Sequence, residues 1–324
     1  MYPRPRVVIS KCIEFEPVRY NGQMIRNDFV KQLLNHVEAF PVCPETGIGL
    51  GVPRDTLRLV KKDDGVHLIQ PKTGNDYTET MTKFSDRFLD TLDDVDGFIL
   101  RTGSPSSGLT RVKVYAEAGR SPVVGRSSGI FASRVKERFG HLALDEDMRL
   151  NNGVIKDHYL RKLFILADYR ETLTENSIEK LKDFHLRNEL QLNIYNIQNQ
   201  IEMAQLLMKD NLEQILPEYK EYLYDSLSKA PDCLSYAKTL EKSLEYFETT
   251  LNMDEIDFFI HQLELYRDGV IPLIVPVDII RSWIARTGQE YLSQQTFYNP
   301  YPEELMDLDA VTAVCGDRDY WKNM

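Results

Sequence analysis

Apolar residues follow two different rhythms along this chain. In the first part they come as short runs broken by turn residues. Arg6-Val7-Val8-Ile9-Ser10 predicts a buried strand, and Phe40-Pro41-Val42 a second. Between them, Asn27 to His36 has Phe29, Val30, Leu33, Leu34 and Val37 on one helical face. Pro44 to Pro53 is too rich in Gly and Pro for a long regular element. Leu57 to Ile69 predicts a hairpin turning at Asp63-Asp64-Gly65. Asp76 to Leu92 predicts a helix, and Gly97 to Leu100 and Val112 to Tyr115 two more strands. Cys12, Cys43 and the turn-rich stretch Ser104 to Gly108 each follow a strand, and ligand crevices of open α/β sheets lie outside the carboxyl ends of strands. The three loops are therefore expected to converge.

From Asp145 the rhythm becomes helical. Helices are predicted over 154–171, 178–195, 198–209, 217–228, 233–250, 253–267, 277–287 and 290–297, with Ile271 to Pro276 as a buried connector. The fold class that results is an α/β N-terminal domain with a mostly parallel, Rossmann-like sheet, followed by an all-α C-terminal domain. The expected boundaries are 1–150, 151–308 and a loosely held tail, 309–324.

Composition changes the picture in two places. The net charge of −11 is unevenly placed: residues 1–150 hold 22 basic and 20 acidic side chains, and 151–324 hold 17 and 30. A nucleic-acid surface draws its affinity from Lys and Arg on phosphates, and the second half lacks that signature. No stretch reaches the ~20 apolar residues of a membrane span, and Val7-Val8-Ile9 is too short for a signal-peptide core. These readings favour a cytoplasmic protein. In that compartment the four cysteines, Cys12, Cys43, Cys233 and Cys315, are expected as reduced thiols.

Common catalytic signatures are missing. There is no phosphate-binding loop ending in Lys-Ser or Lys-Thr, no His-Glu-x-x-His helix and no paired CxxC. Gly47-Ile48-Gly49-Leu50-Gly51 does not open a long helix, and His185 and His261 sit in half-apolar helical contexts suited to structural roles.

Other motifs carry a resemblance. Ser10-Lys11-Cys12 with Val18 to Gly22, Cys43-Pro44-Glu45 with Gly49 to Arg54, and Phe98-Ile99-Leu100 through Ser104 to Gly108 resemble the three motifs of the thiouracil desulfidase family. Asp183-Phe184-His185, Tyr266 to Leu273 and Tyr301 to Leu305 look like the YbgA-like helical accessory domain fused to it in tRNA 4-thiouridine desulfidases. The resemblance implies removal of sulfur from a thiolated pyrimidine, with release of sulfide, by a 4Fe-4S cluster on three cysteines whose open iron takes the substrate sulfur. Cys12 and Cys43 then correspond to two ligands, Glu45 to an acid/base carboxylate and Ser104 to a serine beside substrate. The helical domain is implied to hold tRNA; a free thiolated base is the other substrate class.

The third ligand departs from the pattern. Ser107 stands where the family has Cys, and a hydroxyl is a hard donor with a very high pKa. Basic family positions become Gly103, Glu189 and Glu248. Three readings stay open: an enzyme with Cys12, Cys43 and Ser107 as cluster ligands; a binding or regulatory protein on the same fold with the cluster lost and a protein partner for the acidic helical half; and zinc at Cys12, Cys43 and Glu45.

Overall fold

The computed structural model describes residues 2–209, 211–306 and 315. They form two compact units: Arg4–Asn151, and Asn152–Met306 with Cys315, Tyr2 and Pro3. The expected tail, 309–324, lies outside the described residues apart from Cys315.

The first unit runs β1 (Arg6–Ser10), α1 (Asp28–Leu33), β2 (Glu38–Val42), α2 (Pro44–Gly47), β3 (Arg58–Lys62), β4 (Gly65–Ile69), α3 (Thr78–Asp90), β5 (Gly97–Leu100), β6 (Val112–Tyr115), β7 (Val123–Ser127), α4 (Ile130–Phe139) and β8 (Ala143–Glu146). One sheet has the order β2-β1-β5-β8 and is parallel throughout. Its central strands carry Val7, Val8, Ile9, Phe98, Ile99 and Leu100, all fully buried. A parallel strand covered on both faces needs continuous rather than alternating apolar residues, which is why these runs stand out in the sequence. Asn27 caps α1 by accepting from the Val30 amide at 2.9 Å.

A second sheet, β4-β3-β6-β7, was not foreseen beyond the hairpin and β6. The predicted hairpin forms β3 and β4, and β6 pairs with β3 in parallel and with β7 antiparallel. β7, α4 and β8 escape a periodicity reading for separate reasons. β7 lies at a sheet edge with most of its residues exposed. β8 ends in the buried carboxylates Asp145 and Glu146. Those acids are satisfied locally: Glu146 Oε1 accepts from the amides of Leu109 (2.7 Å) and Thr110 (3.3 Å), and Asp145 Oδ1 from Arg149 Nε at 2.8 Å.

The second unit contains α5 (Gly153–Thr174), α6 (Ile178–Arg187), α7 (Glu189–Leu207), α8 (Leu212–Ser226), α9 (Cys233–Leu244), α10 (Met253–Arg267), α11 (Ile274–Thr287) and α12 (Glu290–Ser293). The predicted helix over 178–195 is cut at Asn188. This side chain donates to Asp168 and to the Phe184 carbonyl, and accepts from Thr296. The expected break after Tyr195 is a kink within α7, where Asn196 Oδ1 caps the amides of Gln198 and Asn199 at 3.1 Å. Ile271 to Pro276 is not a buried connector: α11 begins at Ile274, and Ile271 is only half-buried. Helix 233–250 stops at Leu244 and continues as a short 3-10 turn. No described helix is long and apolar enough to cross a membrane.

Two side-chain expectations are also corrected. Cys233 and Cys315 form a disulfide with their Cα atoms 5.8 Å apart, so only Cys12 and Cys43 are free thiols. His261 faces solvent rather than a core, with Glu264 3.9 Å away.

His185 is a buried structural histidine. Gln200 Nε2 is a donor 3.2 Å from His185 Nε2, so that ring nitrogen must accept. Nδ1 therefore carries the proton and donates to Tyr219 Oη at 3.1 Å. Burial lowers its pKa from 6.5 to about 4. Because the folded-state pKa lies below the unfolded one, His185 costs nothing above pH 6.5, and its destabilisation grows as pH falls from about 6.5 towards 4. The expected result is a melting temperature that drops across this window, with part of the drop removed in His185→Gln, followed by calorimetry.

Candidate functional site

The predicted loops meet at the carboxyl end of the parallel sheet. A cleft of about 350 Å³ is lined by Cys12 after β1, by Cys43 and Glu45 after β2, and by Ser104 and Ser107 after β5. Three turns set these positions. The Lys11 amide donates to the Val42 carbonyl at 2.7 Å, tying the Cys12 turn to the end of β2. Cys43 precedes α2, where Pro44 occupies the first helical position and fixes the backbone. The Ser104–Gly108 loop is closed by the Gly108 amide donating to the Ser104 carbonyl at 2.9 Å.

That loop rests on the start of α4, whose Ala132 amide donates to the Ser106 carbonyl at 3.1 Å. A Cβ on Gly129 would stand 2.3 Å from the same carbonyl oxygen. Gly129→Ala is thus expected to push the serine loop out of place and to cost about 1–3 kcal/mol, read as a lowered melting temperature.

Glu45 is the hub of the cleft. Its Oε1 accepts from Ser106 Oγ at 2.6 Å and from Ser104 Oγ at 3.4 Å. Its Oε2 accepts from the Cys43 thiol at 3.5 Å and lies 3.6 Å from Arg54 Nη2. Arg54 is itself nearly buried and donates to the carbonyls of Val18 (2.9 Å) and Gly51 (3.3 Å). Ser104 Oγ also accepts from the Ser106 and Ser107 amides, at 3.3 and 3.2 Å. The sequence reading named Ser104 but gave no role to Ser106, whose hydroxyl makes the shorter bond. Arg54 closes the second motif, and its partnership with Glu45 was missed as well. A carboxylate between two hydroxyls and a guanidinium can hold a proton and pass it to or from a bound ligand.

Both free thiols are half-buried. Burial first, and the Glu45 charge second, push the Cys12 thiol up to about 12 and raise Cys43 in the same direction. The floor of the cleft is fixed by Asp147, which is fully buried. It pairs with Arg101 and accepts from the Thr102 amide (2.9 Å) and hydroxyl (2.8 Å). At the rim, Arg19 lies over the Tyr20 ring at 5.7 Å.

Residues 7–147 match the family model for 2-thiouracil desulfurase. Over that stretch the N-terminal unit is similar to 2-thiouracil desulfurase domains. Residues 190–302 match a second family model, a protein of unknown function designated DUF1722. Among solved structures, a 4Fe-4S-dependent thiouracil desulfidase, TudS, aligns at 23% identity with a TM-score of 0.36, over 46% of this chain and 94% of its own. No curated protein matches the chain.

The resemblance of the three cleft motifs to those of thiouracil desulfidases makes an iron-sulfur cluster the group whose fit matters. The cleft offers two thiols and one hydroxyl. Ser107 is 3% exposed, and its Oγ lies 3.3 Å from Ser106 Oγ, within the network that surrounds Glu45. Glu45 is engaged by Arg54 and both serines, so it is not a spare donor. Among the described residues no three His, Cys, Asp or Glu side chains converge as a metal site. Soft thiolates are what iron-sulfur clusters select, and this donor set is one short. It does not fit a cluster held by three thiolates.

Proposed function

We propose that the desulfurase domain binds a thiolated pyrimidine in the cleft and that, with Ser107 in place of a thiolate, the natural chain does not remove its sulfur by cluster chemistry. The carrying observation is an asymmetry within one cleft. The polar side, Glu45 with Ser104, Ser106 and Arg54, is fully hydrogen-bonded. The metal side lacks one soft donor. A pyrimidine can meet the serine hydroxyls with its carbonyl and ring nitrogen. Its sulfur suits the polarizable thiols of Cys12 and Cys43. Glu45 then acts as a hydrogen-bond partner and proton holder, and Ser104 orients the ring.

The test uses the full chain, reconstituted without oxygen with iron and sulfide, then offered 2-thiouracil and 4-thiouridine. The expected result is saturable binding in calorimetry, weakened about tenfold or more in Glu45→Ala, with no sulfide released. Sulfide release by the natural chain would overturn the second half of the reading; absence of binding would overturn the first.

A further inference from the structure

We propose that the helical unit binds a small carboxylate with an apolar body in a cavity beside α5. The proposal goes beyond the cleft reading and does not depend on it, since no cleft residue takes part.

The cavity follows from helical spacing. Arg161, Phe164, Ile165 and Asp168 stand at i, i+3, i+4 and i+7 on α5, so they share one face. They line a cavity of about 210 Å³, with Gln191 of α7 and Asn299 on its other walls. The wall after α12 is pinned in place. The Thr296 amide donates to the Arg187 carbonyl at 2.9 Å, and Gln295 Nε2 donates to the Leu186 carbonyl at 2.8 Å.

The carboxylates of this face are already engaged. Asp168 accepts from Arg187 Nη2 (2.7 Å) and Nε (3.0 Å) and from Asn188 Nδ2 (2.9 Å). Asp157 accepts from Arg161 Nε at 2.8 Å and from the Tyr301 hydroxyl at 2.6 Å. Two donors are not engaged. Arg161 is buried, and its Nη1 donates to Gln191 Oε1 at 2.9 Å and to the Phe297 carbonyl at 3.4 Å. Its Nη2 has no hydrogen bond among the described residues. A guanidinium nitrogen can only donate, so the Gln191 atom facing Nη1 must be the oxygen, and the amide cannot be turned over. Gln191 Nε2 is then left buried without a partner, on a side chain 1% exposed. A native fold leaves few such donors, and each calls for an explanation.

A ligand that completes this site brings acceptors. Two donors on bonded neighbours, one of them charged, match the two oxygens of a carboxylate. Phe164 and Ile165, both buried, give the rest of the ligand an apolar bed, and the Tyr2 ring meets Phe164 edge-on with centroids 6.2 Å apart. Sites for drug-sized ligands have roughly 300–1,000 Å³, so the occupant of this cavity is smaller. Inorganic phosphate has no apolar part for that bed, and its additional charge meets Asp168 on the same face.

The test is binding of benzoate to the full chain by ligand-observed NMR, with benzamide and inorganic phosphate alongside. Benzoate is expected to bind saturably with a Kd on the order of 1 mM or tighter. Benzamide and phosphate are expected to bind about tenfold more weakly or worse. Gln191→Glu keeps an acceptor for Arg161, removes the orphaned donor and sets a negative charge against the ligand. It is expected to keep or raise the melting temperature while benzoate binding falls by about tenfold or more, a loss that a purely structural role for Gln191 does not produce. Should that variant fail to fold, Asn299→Trp decides in its place: the position is exposed, lines the cavity and lets the indole cover it, with the same loss expected. Lack of saturable binding by the natural chain, unchanged binding in the folded variant, or equal binding of benzamide or phosphate overturns the proposal.

Discussion

Ser107→Cys should gain a cluster that the natural chain does not hold. After reconstitution without oxygen, the variant is expected to carry about four irons and four acid-labile sulfides per chain, a brown colour and a broad visible absorbance, as a cubane on three thiolates requires. The natural chain is expected to stay near zero. The substitution is conservative in size, and position 107 lines the cleft together with Cys12 and Cys43. What changes is the donor: a thiol that iron readily deprotonates replaces a hydroxyl with a far higher pKa. The loop itself needs no help, since the Ser107 amide is already held by Ser104 Oγ at 3.2 Å. If polar recognition is intact, cluster gain should bring sulfide release from thiouracil, and Glu45→Ala in the same background should abolish it. Equal iron in both chains would show that the third thiolate is not what the natural site lacks.

Much of this site was legible before any geometry. Cys12, Cys43 and Ser104 each follow a parallel strand, and β1 and β5 announce themselves as apolar runs because both faces are covered, whereas the edge strand β2 shows only Phe40 to Val42. The topology that brings the three loops together follows from the crossover rule for parallel strands. What stayed hidden was carried by groups whose patterns say nothing at short range. Arg54 reaches Glu45 across a turn, and Ser106 differs from its neighbour serines only in where its hydroxyl points. β8 reads as acidic and solvent-facing until Leu109, Thr110 and Arg149 are seen to satisfy its carboxylates.

The helical unit was legible in kind and less so in its joints. α10 starts where it was predicted to, and Asn252 and Glu255 form a capping box there. The break at Asn188 has no such signature, since it depends on Asp168, 20 residues earlier, and Thr296, 108 residues later. α5 shows a further limit. It buries Arg161, paired with Asp157 at 2.8 Å and with Gln191 at 2.9 Å, so charges interrupt an otherwise apolar interior helix. The Cys233–Cys315 bond, across 82 residues, lies beyond any local reading.

Asp147→Ala should be the most damaging single change in the desulfurase unit that leaves every cleft-lining side chain in place. Asp147 follows β8 with no exposed surface and pairs with Arg101, while its Oδ1 accepts from both the amide and the hydroxyl of Thr102. Removing it strands a partly buried guanidinium and an amide at the point where β5 turns into the serine loop. Breaking a buried, hydrogen-bonded charge pair on one side typically costs 3–5 kcal/mol. For a unit of this size that corresponds to a melting temperature lower by roughly 6–20 °C. Asp147→Asn keeps an acceptor for Thr102 and loses only the charge, so it should fall between the natural chain and the alanine variant. The consequence for the site follows from Arg101, Thr102 and Gly103, which all line the cleft. With their anchor gone, binding of the thiolated base at 20 °C should weaken even where the variant remains folded, and Asp147→Asn should recover most of it. A melting temperature within about 2 °C of the natural chain in Asp147→Ala would mean that the loop is held by the α4 contacts at Ser106 instead, and that Gly129 rather than Asp147 sets the geometry of the cleft.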